Sequence, residues 1–88
     1  MHTMTLLASA LDKKPTPYWT EKLKLSRGAL QASKTRGHLS PAIAGALAEE
    51  LGEDVDQWIV VAALESERDS ACKRRMEARV QARNKKAP

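Results

Sequence analysis

Apolar side chains recur at steps of three and four residues along most of this chain, the period of helices that bury one face. Leu6, Leu7, Ala10 and Leu11 form the first stripe, within residues 5–14. Thr3 or Thr5 can cap its start. Pro15 and Pro17 end it, because neither ring nitrogen can donate into a continuing helix. Thr16 followed by Pro17 is a favoured cap and first-turn pair for a short second helix, about 17–23, whose apolar side is Tyr18, Trp19 and Leu23. Lys24-Leu25-Ser26 reads as a turn. Ser26 is a good N-cap for a third helix from Arg27 to about Lys34. There Ala29 and Leu30 face inward while Arg27, Gln31 and Lys34 share the outer face. Arg36-Gly37-His38 is a loop, with Gly37 free to adopt a left-handed conformation.

Ser40-Pro41 repeats the cap-then-proline signal. A fourth helix, 41–51, carries Ile43, Ala44, Leu47, Ala48 and Leu51 in register, and Gly52 closes it. Asp54 and Gln57 have capping spacing for a fifth helix. Its stripe is Val55, Trp58, Ile59, Ala62 and Ala63, extended by Leu64. Beyond Glu65 the stripe thins to Ala71, Met76 and Val80, although helix-forming residues continue to 83. Either the fifth helix runs on into solvent or this stretch frays. Residues 84–88 are expected to be a basic, disordered tail.

Composition narrows the fold class. The chain has 88 residues, four glycines, four prolines and no phenylalanine, and β-branched runs are nearly absent. That favours an all-α domain spanning 1–83, with a small core. Trp19 and Trp58 are read as core anchors, and Trp58 alternatively as a dimer contact.

Charge adds what periodicity cannot. From Lys13 to His38 seven Lys and Arg face one acid, Glu21; from Leu39 to Cys72 eight acids face Arg68 alone; from Lys73 onward seven cations face Glu77. The modest net charge of +4 therefore conceals two cationic zones. The acidic zone reads as a soluble back face that keeps DNA on the opposite side. The C-terminal cations read as a second phosphate-binding arm, a helix that pairs with another subunit, or a solvated end.

Other chemistries find little support. Cys72 is the single cysteine, so neither an internal disulfide nor a thiolate zinc site can form within one chain. His38 has only His2 as a histidine partner, too little for a metal site. No nucleophile–histidine–acid set and no phosphate-cradling glycine loop occurs. The expectation is a cytoplasmic protein that is not an enzyme, with no cofactor, no small-molecule substrate and no membrane association.

The first cationic zone coincides with a helix-turn-helix pattern at about 17–36. In that motif the first helix braces on the sugar–phosphate backbone and the second enters the major groove. Arg27 can grip a guanine edge and Gln31 an adenine edge, so these two are candidate base contacts. Lys22, Lys24, Ser26, Lys34, Thr35, Arg36 and His38 are the candidate phosphate contacts, and among them Lys22, Lys24, Lys34 and Arg36 supply the salt-dependent part of affinity.

These residues carry a resemblance. Tyr18 to Trp58 resembles the lambda-repressor-like (Cro-type) helix-turn-helix family. More narrowly, roughly residues 5–72 resemble small phage-related proteins sharing strings close to YWTEKLKLSRGAL, RGHLSPAIAGALAEELGED and WIVVAALESERDS. The resemblance implies a compact five-helix lambda-repressor-like domain with a long C-terminal helix. It also implies a prophage transcriptional regulator, comparable to a Cro-like repressor, that binds double-stranded DNA sequence-specifically as a homodimer. Leu23, Leu25 and Leu30 match the family's apolar positions, and Ser26, Arg27, Gly28 and Gln31 fall on positions that commonly face DNA in it, so the resemblance adds Gly28 to Arg27 and Gln31 as a candidate base contact. Lys24 departs from it, standing where the turn glycine is usual. So do Thr20, where a small alanine packs, and Ser33, near a large apolar position. One extra residue also precedes Gly37. The rival reading is a protein-interaction module of the same fold that uses the acidic face or the stripe around Trp58.

Overall fold

The structure, a computed structural model, describes residues 2–86. Within them lie six helices: α1 (Thr3–Lys13), α2 (Thr16–Lys22), α3 (Ala29–Arg36), α4 (Pro41–Leu51), α5 (Val55–Glu65) and α6 (Ala71–Lys86). The all-α expectation holds, and the count rises from five to six. Among the described residues no helix is long and apolar enough to cross a membrane.

The core is built by α1, α4 and α5, with α2 and α3 each adding one large anchor. Leu6, Leu7 and Ala10 of α1 meet Ala44, Leu47 and Ala48 of α4 and Trp58, Val61 and Ala62 of α5; Trp19 and Leu30 close it from α2 and α3. The stripe of α5 is rotated from the expected one. Val61 is buried, whereas Ile59 and Ala63 lie at the surface. Trp58 is 6% exposed, so its own side chain is a core anchor.

The α4–α5 pair is held by short-range signals. Ser40 Oγ accepts from the Ile43 N–H at 3.3 Å and Asp54 Oδ1 from the Gln57 N–H at 3.0 Å, so both helix starts are capped as their spacing predicts. Gly45 lets the helices approach, since a Cβ there would stand 2.9 Å from Ile59 Cγ1.

Trp19 fastens α2 to the end of α1. Its indole N–H is shared between the carbonyls of Ala10 at 2.8 Å and Lys14 at 3.1 Å. Tyr18 packs edge-on against Trp19 with ring centroids 5.0 Å apart, and Lys14 Nζ lies 5.4 Å from the Tyr18 ring centroid.

Several local expectations are corrected. Thr3 does not cap α1. It is the first helical residue, fully buried, and His2 precedes it without a side-chain cap. Thr16 likewise lies inside α2, with Pro15 at the cap position. The fifth helix neither projects nor frays through 66–83. It stops at Glu65, where the Ser66 hydroxyl turns back to the Ala62 carbonyl at 2.9 Å. Ser70 then accepts from the Lys73 N–H at 3.0 Å and starts α6. Because α6 extends to Lys86, residues 84–86 are helical rather than disordered; 87 and 88 lie outside the described residues.

Candidate nucleic-acid interface

The α2–α3 connection is built on a backbone motif that the sequence disguises. After α2 the Leu25 N–H donates to the Thr20 carbonyl at 2.9 Å and the Lys24 N–H to Glu21 at 3.1 Å. These are the paired bonds of a Schellman C-cap, which needs a left-handed residue just past the helix. That residue is Lys24, at φ 55°, and it is the only non-glycine with positive φ among the described residues. The same pair of bonds follows α4, where Glu53 reaches Ala48 at 2.8 Å and Gly52 reaches Glu49 at 3.3 Å, with Gly52 at φ 73°. Lys24 thus takes a conformation that glycine adopts freely and that costs an L-residue about 1 kcal/mol or more.

The start of α3 differs from the expected one. Ser26 does not cap it; its carbonyl instead accepts from the Ala29 N–H at 3.1 Å, closing a turn over Arg27 and Gly28. Gly28 is the cap residue and makes no side-chain bond. Arg27 therefore sits in the turn before the helix rather than in its first turn. At a cap, glycine carries little of the cost it has inside a helix.

The outer side of this element is open. Arg27, Gly28, Gln31 and Lys34 are all exposed, while Leu30 and Ser33 point into the core at 1% and 0% exposure. Ser33 is tolerated in the core because its hydroxyl is returned to the Ala29 carbonyl at 3.1 Å. Thr20 does the same to Thr16 at 3.1 Å, so its polar atom is satisfied beside the core.

The candidate phosphate ligands divide into groups. Lys24, Ser26, Lys34 and Arg36 are exposed, and the Arg36 guanidinium lies 3.5 Å from Ser33 Oγ. Thr35 is exposed, but its hydroxyl is turned back to the Gln31 carbonyl at 3.1 Å. Lys22 leans the other way, toward Glu50 on the acidic α4, at 3.7 Å. His38 is half-buried, and its Nδ1 is enclosed without a hydrogen-bond partner among the described residues. Lys24 and Arg27 share the rim of a shallow recess with Thr16, Thr20 and Glu21. Their i, i+3 spacing across a turn gives little sequence sign of that.

Two interactions outside this surface escape the sequence pattern. Thr3 and Glu65 are joined across the molecule, the Thr3 N–H donating to Glu65 Oε2 at 3.0 Å. The Thr3 hydroxyl donates to Glu65 Oε1 and accepts from the Leu39 N–H at 2.8 Å. This bond to Leu39 fixes the segment that leaves α3. Among the described residues no group of three His, Cys, Asp or Glu gathers as a metal site.

Comparison of the chain with family models, with curated proteins and with solved structures finds no match.

Proposed function

We propose that this chain binds double-stranded DNA sequence-specifically, with α2 and α3 as a helix-turn-helix. In this reading α1 to α5 form a lambda-repressor-like domain to which α6 is appended, and the protein is a phage or prophage transcriptional regulator. The observation that carries it is the two-sided character of the α3 region. Leu30 and Ser33 anchor one side in the core, while Arg27, Gly28, Gln31 and Lys34 stand exposed on the other. A rod seated in this way can enter a major groove without disturbing its own packing.

The roles divide by chemistry. Arg27, Gly28 and Gln31 meet base edges. Lys24, Ser26, Lys34 and Arg36 meet phosphates, and Thr35 and His38 are marginal because their polar atoms are already engaged or enclosed. Lys22 is the weakest of the set, since Glu50 competes for its ammonium. A homodimer would set two copies of α3 about 34 Å apart along a pseudo-palindromic site.

Selection of bound duplexes from a random pool tests this reading. A recovered motif, two-fold symmetric for the dimer, supports it. Recovery of unselected sequence with strong salt dependence would leave only nonspecific phosphate contact and would end it.

A further inference from the structure

Helix α6 packs against α5 along one thin line and leaves a groove beside it. None of its residues with described side chains is buried. Val80 is its apolar contact with the core, and Met76 remains 39% exposed. Val60, Leu64, Met76 and Val80 floor an open groove of about 640 Å³, and Arg79 and Arg83 line it. Val60 is itself 40% exposed.

The arginines are arranged in a row. Arg75, Arg79 and Arg83 follow at four-residue steps, so they stack along one face of α6. All three are exposed, and none has an acidic partner among the described residues, where the ion pairs are His2–Glu65, Lys22–Glu50 and Arg74–Asp69. Like charges at this spacing weaken an isolated helix. An apolar floor and an unneutralised cationic edge together define the complement that fits them.

We infer that the α5–α6 groove binds an acidic amphipathic helix of a partner protein. That helix would set apolar residues at i, i+3 or i+4 and i+7 onto Val60, Leu64, Met76 and Val80, and carboxylates beside them onto Arg75, Arg79 and Arg83. This is the helix-in-groove mode with a charged margin. Duplex DNA is the poorer occupant, because a phosphate backbone offers nothing apolar to the floor. A second copy through the same face is also poorer, because a two-fold pairing of α6 would set the arginine row against itself, with Glu77 as the sole acid of that helix.

The probe is a labelled synthetic peptide of about 18 residues, or five helical turns. It carries leucines at those positions and glutamates along one flank, and its control is a scrambled isomer of identical composition. Titration into the full chain is expected to give saturable, salt-sensitive binding that the scrambled peptide lacks by at least tenfold. Met76→Glu and the pair Arg79→Glu, Arg83→Glu should each weaken binding at least tenfold, with circular dichroism and the melting transition of the chain retained. The inference is overturned by equal binding of the scrambled peptide, by no saturation, or by displacement of the peptide by duplex DNA. It is also overturned by a dimer in sedimentation that Met76→Glu disperses. Gln31→Ala separates this inference from the DNA reading, since it should alter selection of duplexes and leave peptide binding unchanged.

Discussion

The Thr3 hydroxyl donates to the Glu65 carboxylate across 62 residues of sequence while accepting from the backbone N–H of Leu39. One buried side chain thus ties the start of α1, the segment between α3 and α4, and the end of α5. Thr3→Val keeps the shape and removes both bonds, leaving a buried N–H without a partner. The expected loss is about 2–3 kcal/mol of stability, and Thr3→Ser should recover most of it. Urea denaturation of the three proteins checks the ordering. A valine variant as stable as the parent would mean the network contributes nothing.

How much of the fold the residues announce depends on how far each signal reaches. Ser40, Pro41, Gly52 and Asp54 act on backbone groups within five positions, and α4 and the start of α5 fall where those residues place them. Thr3 acts across 36 and 62 positions, beyond any local pattern. The break between α5 and α6 is hidden for another reason. No glycine or proline marks residues 66–70; the C-cap is Ser66, and Ser70 caps the next helix, among good helix formers. Ser26 misleads because Gly28 follows it. A helix beginning at Arg27 would place glycine in its first turn, whereas a start at Ala29 leaves Gly28 as the cap. The exposure of Arg27 and Gln31 was legible from the spacing of Ala29 and Leu30. The position of Arg27 in a turn was not.

Lys24 offers a test with opposite signs on two properties. Lys24→Gly relieves the left-handed strain at φ 55°, and the chain should gain about 0.5–1 kcal/mol after the added freedom of the unfolded state is counted. The same change deletes a proposed phosphate ligand, so DNA affinity should fall alike on all sequences, with a shallower salt dependence. Thermal melts and titrations at two salt concentrations read both. A loss of stability would show that the left-handed turn is not strained.

Gly28→Asp separates folding from binding by the same logic. Aspartate there places a carboxylate at the positive end of α3, and nothing within 4 Å obstructs its Cβ. A gain of about 0.3–0.5 kcal/mol from the helix dipole is expected. A carboxylate at this position also repels phosphate, so duplex binding should fall although the fold is firmer. Unchanged DNA binding would remove Gly28 from the contact surface.

Gly45 sets two effects against each other. Alanine is favoured over glycine inside a helix by about 1 kcal/mol. Its methyl would stand 2.9 Å from Ile59 Cγ1 and 3.1 Å from Cδ1. Ile59 is β-branched and stiff at χ1, so overpacking of about 1–3 kcal/mol wins and Gly45→Ala should destabilise. In an Ile59→Ala background the obstruction is gone and the same substitution should stabilise. The double-mutant cycle measures that reversal directly. The same sign in both backgrounds would show that the α4–α5 approach does not depend on glycine.

Arg27 and Arg36 lie at opposite ends of α3 and are expected to fail differently. Arg27, in the turn before the helix, is the proposed grip on a base edge, so Arg27→Ala should cost about 1–3 kcal/mol on the preferred duplex and relax preference at one base pair. Arg36 closes the helix beside Gly37 and is proposed to meet phosphate rather than a base edge. Arg36→Ala should therefore weaken preferred and random duplexes by the same factor and lower the salt slope by about one unit. Titration of the selected duplex and its single-base variants at two salt concentrations distinguishes the two behaviours. If Arg27→Ala bound the preferred duplex as tightly as the parent, α3 would not be the element that reads sequence, whatever the tail of cations contributes to affinity.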